Sequence, residues 1–404
     1  MIQSITNKCR ICGAQTIPYF DYGAMPLVNQ LFDSREAAIN ATRYPLSLDR
    51  CPECVNSQLP VVVDPEILYA NYPYRSSVSQ PFRDHCQKLA EKIALEVSLT
   101  RKANRMMRVE SNQTETILDI GGNDGTLLRA ITSIVPGIKC VIVDPSQSAL
   151  TDATFPVEKV CSFWSSQTAR EFVANYGKAK VITAQNVVAH VDDVHDFFEG
   201  VSLALADDGR FVVEVPHVLR MLLDCEFDTV YHEHLSYMSL EALEYLAHRH
   251  DLAMIGAESI EQIHCGTIRV WFAKYGRVGI NPMKRNEHQL YADTIYRTFA
   301  KRTLERVNSV KQVIADFRGR AIGITASAKG NILLNMIDSG LEYLVDNTPA
   351  KIGKFVPGTG LEVKDFCREN VEHANFALIL SRNFKDALIE KLRMMNFTGE
   401  VFVP

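Results

Sequence analysis

Apolar positions change period several times along this chain, and each change marks an element. The runs ETILDI (115–120), KCVIVDP (139–145), AKVITAQN (179–186) and GRFVVEVP (209–216) are almost continuously apolar and β-branched. That pattern predicts buried parallel strands with helices between them. Ahead of them, after the turn-forming Ser76, Ser77 and Ser79, helical spacing begins at Pro81 and puts Phe82, Cys86, Leu89, Ile93 and Val97 on one side. Behind them, EQIHCGTIRVWFAKYG (261–276) reads as a strand pair around a glycine turn. Residues 286–317 read as one long amphipathic helix with Ile295, Phe299, Leu304, Val307 and Val310 inward. After Gly319 a second α/β pattern starts with RAIGITASAKGNILLNMI and continues through LVDNTPAKIGKF, NFALILS and GEVFVP. No repeat or low-complexity tract interrupts the order.

Composition narrows the picture. A chain of 404 residues, 47% apolar, is long enough for two to three domains, each with its own core. A net charge of −5 argues against a general nucleic-acid partner. No apolar run approaches the roughly 20 residues of a membrane span, so no membrane partner is expected. The start, MIQSITNKCR, lacks the apolar core of a signal peptide. A cytoplasmic location follows as an expectation, with the ten cysteines reduced or bound to metal. Two CxxC pairs, Cys9/Cys12 and Cys51/Cys54, fit a structural four-thiolate zinc site. Free buried thiols or a redox pair are the alternatives.

The sharpest local feature is ILDIGGNDGTLL (117–128), a strand running through a glycine cluster into a helix. Glycine lets the backbone turn sharply beside a ligand, and the helix start offers free amides. The next strand ends in Asp144, and an acid there suits the hydroxyls of a ribose. A dinucleotide turn, G-x-G-x-x-G, would need glycine where Asn123 and Thr126 stand, and Asp124 would face a pyrophosphate. S-adenosylmethionine (SAM) has no phosphate and carries a cationic amino group, so the pattern D-I-G-G-N-D-G is similar to the first motif of class I methyltransferases. A nicotinamide ligand and an empty structural turn are the other readings. Because doubly wound sheets bind beyond their carboxyl strand ends, Gly121, Gly122, Asn123, Asp124, Asp144, Ser146, Gln185 and Asn186 are the candidate cofactor contacts, with His190 and 214–217 on the same crevice.

The densest chemistry is EFDTVYHEHLSYMSL (226–240). Read as an extended segment, it would point His232 and His234 to one side and Tyr231 and Glu233 to the other. Metal binding is a weak reading, since H-E-x-x-H is absent. Acid–base chemistry is the better one, because a phenol, a carboxylate and imidazoles can set one another's proton affinity. A polar surface loop is the bland alternative. Tyr72, Tyr74, Ser76 and Ser77 form either a solvated lead-in to a helix or a substrate wall. In ASAKGN, Lys329 and Asn331 at a helix start suit a phosphate, or are a plain helix start with a solvated lysine.

In this order, YPLSLDRCPECVNSQL, YPYRSSVS, NDG, NVVAHVDD, FDTVYHEHLSY, HCGTIRVW and GITASAKGNILL with VDNTPAKIGKFVPGT resemble the sugar C-methyltransferase family over nearly the whole chain. The resemblance implies methylation at C3 of a nucleotide-diphosphate-linked 4-keto-6-deoxy sugar, dTDP- or GDP-linked, with SAM and a structural Zn²⁺. It implies a class I methyltransferase Rossmann-like α/β domain over 116–280. Around this stand a zinc-binding domain over 1–66, a helical substrate-contacting segment over 67–115, and a linker helix with a second Rossmann-like α/β unit over 281–404. Family positions around the sugar fall on Tyr231, Glu233, His234 and His190. A carbonyl beside carbon makes its proton removable, so Tyr231 is the expected base, His190 and His234 the expected donors to the oxyanion, and Glu233 a group that orients a histidine or holds a hydroxyl. An O- or N-methyltransferase and a non-catalytic sugar-nucleotide-binding protein are the rival functions.

Overall fold

The computed structural model describes residues 1–69, 75–106, 115–260, 266–274, 282–337 and 339–404. The N-terminal part carries β1 (Ile2–Ile5), β2 (Ile17–Pro26), β3 (Arg43–Arg50), β4 (Ser57–Gln58) and β5 (Val61–Val63). The middle carries β6 (Thr116–Ile120), β7 (Lys139–Asp144), β8 (Glu158–Cys161), β9 (Ala179–Gln185), β10 (Leu205–Pro216), β11 (Ser236–Tyr237), β12 (Ala253–Ile260) and β13 (Thr267–Ala273). The C-terminal part carries β14 (Ala321–Ile324), β15 (Leu344–Asp346), β16 (Val363–Asp365), β17 (Phe376–Ile379) and β18 (Glu400–Phe402).

Seven strands form the central sheet in the order β12-β13-β10-β9-β6-β7-β8. From β10 to β8 they are parallel, whereas β13 runs antiparallel to β10 and β12. Every residue of β6 is buried, the polar Thr116 and Asp119 included, as in a strand covered on both faces. The order reverses at β6, with β7 on one side and β9 on the other. That reversal opens a crevice beyond the carboxyl ends of the strands. The helix Gln80–Met106 covers one face, and Phe82, Cys86, Leu89, Ile93 and Val97 are all buried on it as their spacing predicts. The C-terminal sheet, β16-β15-β14-β17-β18, is wholly parallel and reverses in the same way at β14. This is the expected fold: a class I methyltransferase sheet with an N-terminal cysteine-cluster domain and a second parallel α/β unit.

The parts are sewn together. Strand β11, from the middle of the chain, pairs with β4 of the N-terminal sheet. One continuous core contains Phe20, Leu48, Phe227, Phe299, Leu333 and Leu378, drawn from all three parts. Its spine is the helix Asp293–Asp316. The single helix expected over 286–317 is instead a 3-10 segment, Pro282–Tyr291, followed by this α-helix after an extended Ala292. Leu304, expected inward, is exposed, and Thr303 is buried in its place. The inward stripe runs Ile295, Phe299, Thr303, Val307, Val310 at spacings of four and three, which leaves Leu304 about 100° off the stripe.

Candidate active site

The glycine turn follows β6 directly. Gly121 has φ 65°, and a Cβ there would come within 2.4 Å of Val187, so only glycine fits between the turn and the segment after β9. Asp144, at the end of β7, pins the turn: its Oδ2 accepts the Asn123 amide at 2.9 Å and its Oδ1 the Ser146 amide at 2.8 Å. Each carboxylate oxygen retains a second lone pair for a ribose hydroxyl. Burial raises the Asp144 pKa, opposed by those two amides and by Arg75. Asp119, two residues before Gly121, was not singled out in the sequence. It is buried in the same cavity, accepts the Thr183 hydroxyl at 2.6 Å, and is pushed up to about 7 by burial. Its signal was available, as the acid inside the strand that leads into the glycines.

Ser76 and Ser77 come to this turn rather than to a wall of their own. Their amides bond Asn123 Oδ1 at 3.1 Å and Asp124 Oδ2 at 2.9 Å. Asp124 also accepts the Thr126 hydroxyl at 2.6 Å, which fastens it to the helix start. The cavity beside them is lined by Ser76, Phe82, Cys86, Asp119, Gly121 and Gln185, among others. Asn186 follows Gln185 with φ 54°, a conformation asparagine tolerates, and its amide bonds the Glu214 carbonyl at 2.8 Å. Tyr72 and Tyr74 lie outside the described residues.

A second group of side chains gathers next to this crevice. His190, in the short turn after β9, faces His234 edge-on with ring centroids 5.0 Å apart, and His234 lies against Tyr231 at 4.1 Å. Tyr69, absent from the sequence-based candidates, puts its hydroxyl 2.8 Å from His190 Nδ1 and 3.3 Å from the Glu233 carbonyl. Burial raises the Tyr69 pKa well above its ordinary value, so it stays a neutral phenol. The carboxylate of Glu233 accepts from Asn29 of the N-terminal part at 2.7 Å. The carbonyl of Thr229 takes both His234 Nδ1–H at 2.9 Å and the Tyr237 hydroxyl at 3.1 Å. A carbonyl only accepts, so this bond places the proton of a neutral His234 on Nδ1.

The extended reading of 231–234 does not hold. The His234 amide returns to the Tyr231 carbonyl at 2.9 Å, closing a tight turn. A turn brings Tyr231 and His234 together and sends His232 elsewhere: it is buried near Tyr44, its Nε2 3.3 Å from the Tyr44 carbonyl, with its pKa pushed down to about 4 by burial.

In the C-terminal unit, β14 ends in a turn that repeats the one after β6. The Thr325 amide bonds the Val345 carbonyl at 2.8 Å, as the Gly121 amide bonds that of Val143 at 2.7 Å. Asp346, ending β15, accepts the amides of Ala326 and Thr348, each at 2.8 Å, as Asp144 accepts those of Asn123 and Ser146. Lys329, four residues past Thr325, pairs with Glu226 at 3.2 Å, and Arg382 binds the same carboxylate. Asn331 is buried; it donates to the Val28 carbonyl at 3.3 Å, next to Asn29, and accepts from Asn335.

The cysteine cluster belongs to the N-terminal part. The four sulfurs of Cys9, Cys12, Cys51 and Cys54 lie within 4.8 Å of one another, with Cys9–Cys54 at 3.5 Å and Cys12–Cys51 at 3.4 Å. Sulfurs held tetrahedrally about 2.3 Å from zinc sit about 3.8 Å apart, so a slight opening accommodates the ion. Amides of Ile11 and Cys54 point at Cys9 and Cys51, as thiolates require. Four sulfurs fill the coordination shell, which makes the zinc structural. The knuckle reaches the active-site loops: Arg10 pairs with Asp192 at 2.7 Å and donates to Leu59 O at 2.6 Å, and Ile11 O accepts from His195 at 2.8 Å. No disulfide joins the described cysteines, and among the described residues no helix is long and apolar enough to cross a membrane.

Comparison with known proteins gives three matches along the chain. A zinc binding domain profile matches residues 9–69, a methyltransferase domain profile residues 87–256, and a C-methyltransferase C-terminal domain profile residues 262–404. The C-methyltransferase NovU of Streptomyces niveus is 28% identical over 98% of this chain and 94% of its own length. Solved structures are more distantly similar. The plantazolicin methyltransferase BamL, solved with SAH, is 12% identical over 48% of this chain and 85% of its own (TM-score 0.35). The magnesium protoporphyrin IX methyltransferase ChlM of Synechocystis PCC 6803 is 10% identical over 46% and 82% (TM-score 0.34). Those two likenesses are too loose to bear on substrate or mechanism. With four thiolates placed to hold zinc, a methyltransferase domain profile over the central sheet and a C-methyltransferase profile closing the chain, this protein is a SAM-dependent C-methyltransferase.

Proposed function

We propose that the enzyme methylates C3 of a nucleotide-diphosphate-linked 4-keto-6-deoxy sugar through an enolate. The observation that supports this most is the convergence of Tyr69, His190, Tyr231, Glu233 and His234 beside the cofactor crevice. Methyl transfer to oxygen or nitrogen needs one base near a hydroxyl or amine. Transfer to carbon needs a base and donors that hold a developing oxyanion, and this group contains both. Bound SAM supplies an electrophilic methyl group. Tyr231 is assigned as the base that takes the C3 proton, its ring held against His234. The Glu233 carbonyl only accepts, so the Tyr69 hydroxyl donates to it and its oxygen accepts from His190 Nδ1–H. A neutral His190 then carries its proton on Nδ1, so it donates from Nε2 to the C4 oxyanion only as an imidazolium. His234, with Nδ1–H committed to Thr229, donates from Nε2 only as an imidazolium, and in that form its charge also favours a phenolate at Tyr231. Glu233, tied to Asn29, is assigned to orient the group or hold a sugar hydroxyl.

For the nucleotide diphosphate we assign a place near Lys329, between the N-terminal part and the second α/β unit, with Asn331 fixing the loop that carries Asn29. The repeated turn geometry around Asp346 supports a nucleotide there, as does the pairing of Lys329 and Arg382 with one carboxylate, which two phosphate charges can replace. Ser76 and Ser77 close the cofactor side, and Tyr72 and Tyr74 keep their expected role toward the sugar. A reducing cytoplasm suits the unpaired described cysteines.

The test is incubation of dTDP- and GDP-linked 4-keto-6-deoxy sugars with labelled SAM, read by mass spectrometry, with NMR placing the methyl group. A methyl on C3 is expected; one on oxygen overturns the proposal. For the cofactor, Asp144→Ala is expected to weaken SAM binding by roughly tenfold or more, about 1.4 kcal/mol, measured by calorimetry. Unchanged affinity would remove Asp144 from the ribose.

A further inference from the structure

Beneath the cofactor crevice lies a buried ionic group that the chemistry above does not use. Glu214, on β10 beside the strand that ends in Gln185, is 1% exposed; Arg269 on β13 is 2% and His85 on the helix Gln80–Met106 is 7% exposed. Glu214 Oε1 accepts Arg269 Nε at 2.6 Å, while Oε2 accepts His85 Nε2 at 2.7 Å and Gln185 Nε2 at 2.9 Å. Arg269 also binds Glu258 at 2.9 Å, and Lys92 binds Glu258 from the surface. Burial opposes the charge on Glu214, but the His85 bond, Arg269 and Gln185 outweigh it and hold the carboxyl below its ordinary range.

An ionised carboxylate only accepts hydrogen bonds. Gln185 must therefore turn its amide nitrogen toward Glu214, which leaves its oxygen, Oε1, on the Cys86 side, where Gln185 lines the cavity with Gly121, Gly122 and Asp119. Asp144 and Gln185 end the two strands that flank β6. A SAM molecule whose ribose meets Asp144 on β7 runs its amino-acid end across the glycine turn toward β9, and that end carries an ammonium.

We propose that Glu214, held by Arg269 and His85, is a positioning residue that locks the Gln185 amide with its oxygen toward the cofactor, where it accepts a hydrogen bond from the α-ammonium of SAM. The proposal rests on the assignment of the ribose to Asp144. In Glu214→Gln, Arg269 donates only and keeps the new side-chain oxygen, so the new amide nitrogen faces Gln185. Gln185 then turns its own oxygen inward and presents a donor to the cation.

The measurement is calorimetric affinity for two ligands that share the adenosine and differ in the amino-acid end: S-adenosylhomocysteine and 5′-methylthioadenosine. Glu214→Gln is expected to weaken S-adenosylhomocysteine by about tenfold and to leave methylthioadenosine within about twofold. Gln185→Met, which leaves the Glu214–Arg269 pair in place, is expected to do the same and carries the test if Glu214→Gln fails to fold. Equal losses for both ligands in both variants would make the group merely structural, and no loss for either would overturn the proposal. Failure of the Asp144 assignment is separately visible, because Asp144→Ala is expected to weaken both ligands together.

Discussion

Tyr231→Phe is expected to lower turnover by about 10²–10⁴, the usual span for loss of a general base. The substitution keeps the ring that packs on His234 at 4.1 Å and removes only the hydroxyl. Sugar affinity is expected to change by less than roughly tenfold, because the lost interaction is made mainly in the transition state. A second readout isolates proton removal. Wild-type enzyme with sugar and S-adenosylhomocysteine in heavy water is expected to exchange the C3 proton without methylation, and Tyr231→Phe to suppress that exchange. His234→Ala is expected to slow exchange and methylation together, since both pass through the same oxyanion. Near-normal turnover in Tyr231→Phe would pass the role of base to His234 or His190. Both are candidates, because the bond made by each Nδ1–H leaves the neutral ring a lone pair at Nε2.

Removal of the zinc is the other change with a large expected effect. Structural zinc sites contribute on the order of 10–16 kcal/mol of binding free energy, which a preformed fold converts into stability. Cys51→Ala is expected to purify without the one zinc per chain that wild type retains, as read by elemental analysis, and to lower Tm by more than about 10 °C. Activity should go with it, for a structural reason. Arg10, between the first two cysteines, pairs with Asp192 just after His190 and bonds Leu59 O, while the Leu59 amide bonds Leu235 O just after His234. Ser239 bonds the Cys54 carbonyl at 3.1 Å. The metal thus braces both loops that carry the histidines. A zinc-free variant with wild-type Tm and turnover would contradict this.

The sequence by itself determined the elements and their chemistry. Largely apolar strands, a five-residue stripe on the helix after Pro81, glycines before a helix start and two CxxC pairs are local signals. Each follows from backbone geometry within a few residues, so β6, the glycine turn after it and the four-cysteine cluster could be read directly. Tertiary structure decided which side chains meet. Tyr69 reaches His190 across 121 residues of chain, and Asn29 reaches Glu233 across 204. No period in the sequence encodes such a contact. The sequence could not show that 231–234 turns back on itself, because His232 meets the Tyr44 carbonyl only once the N-terminal sheet packs beside it. Nor could it show that Lys329 faces Glu226, or that Glu214 sits between Arg269 and His85, because those groups meet only once segments distant in the chain pack together. A buried charge needs a partner, and folding alone selects which one it finds.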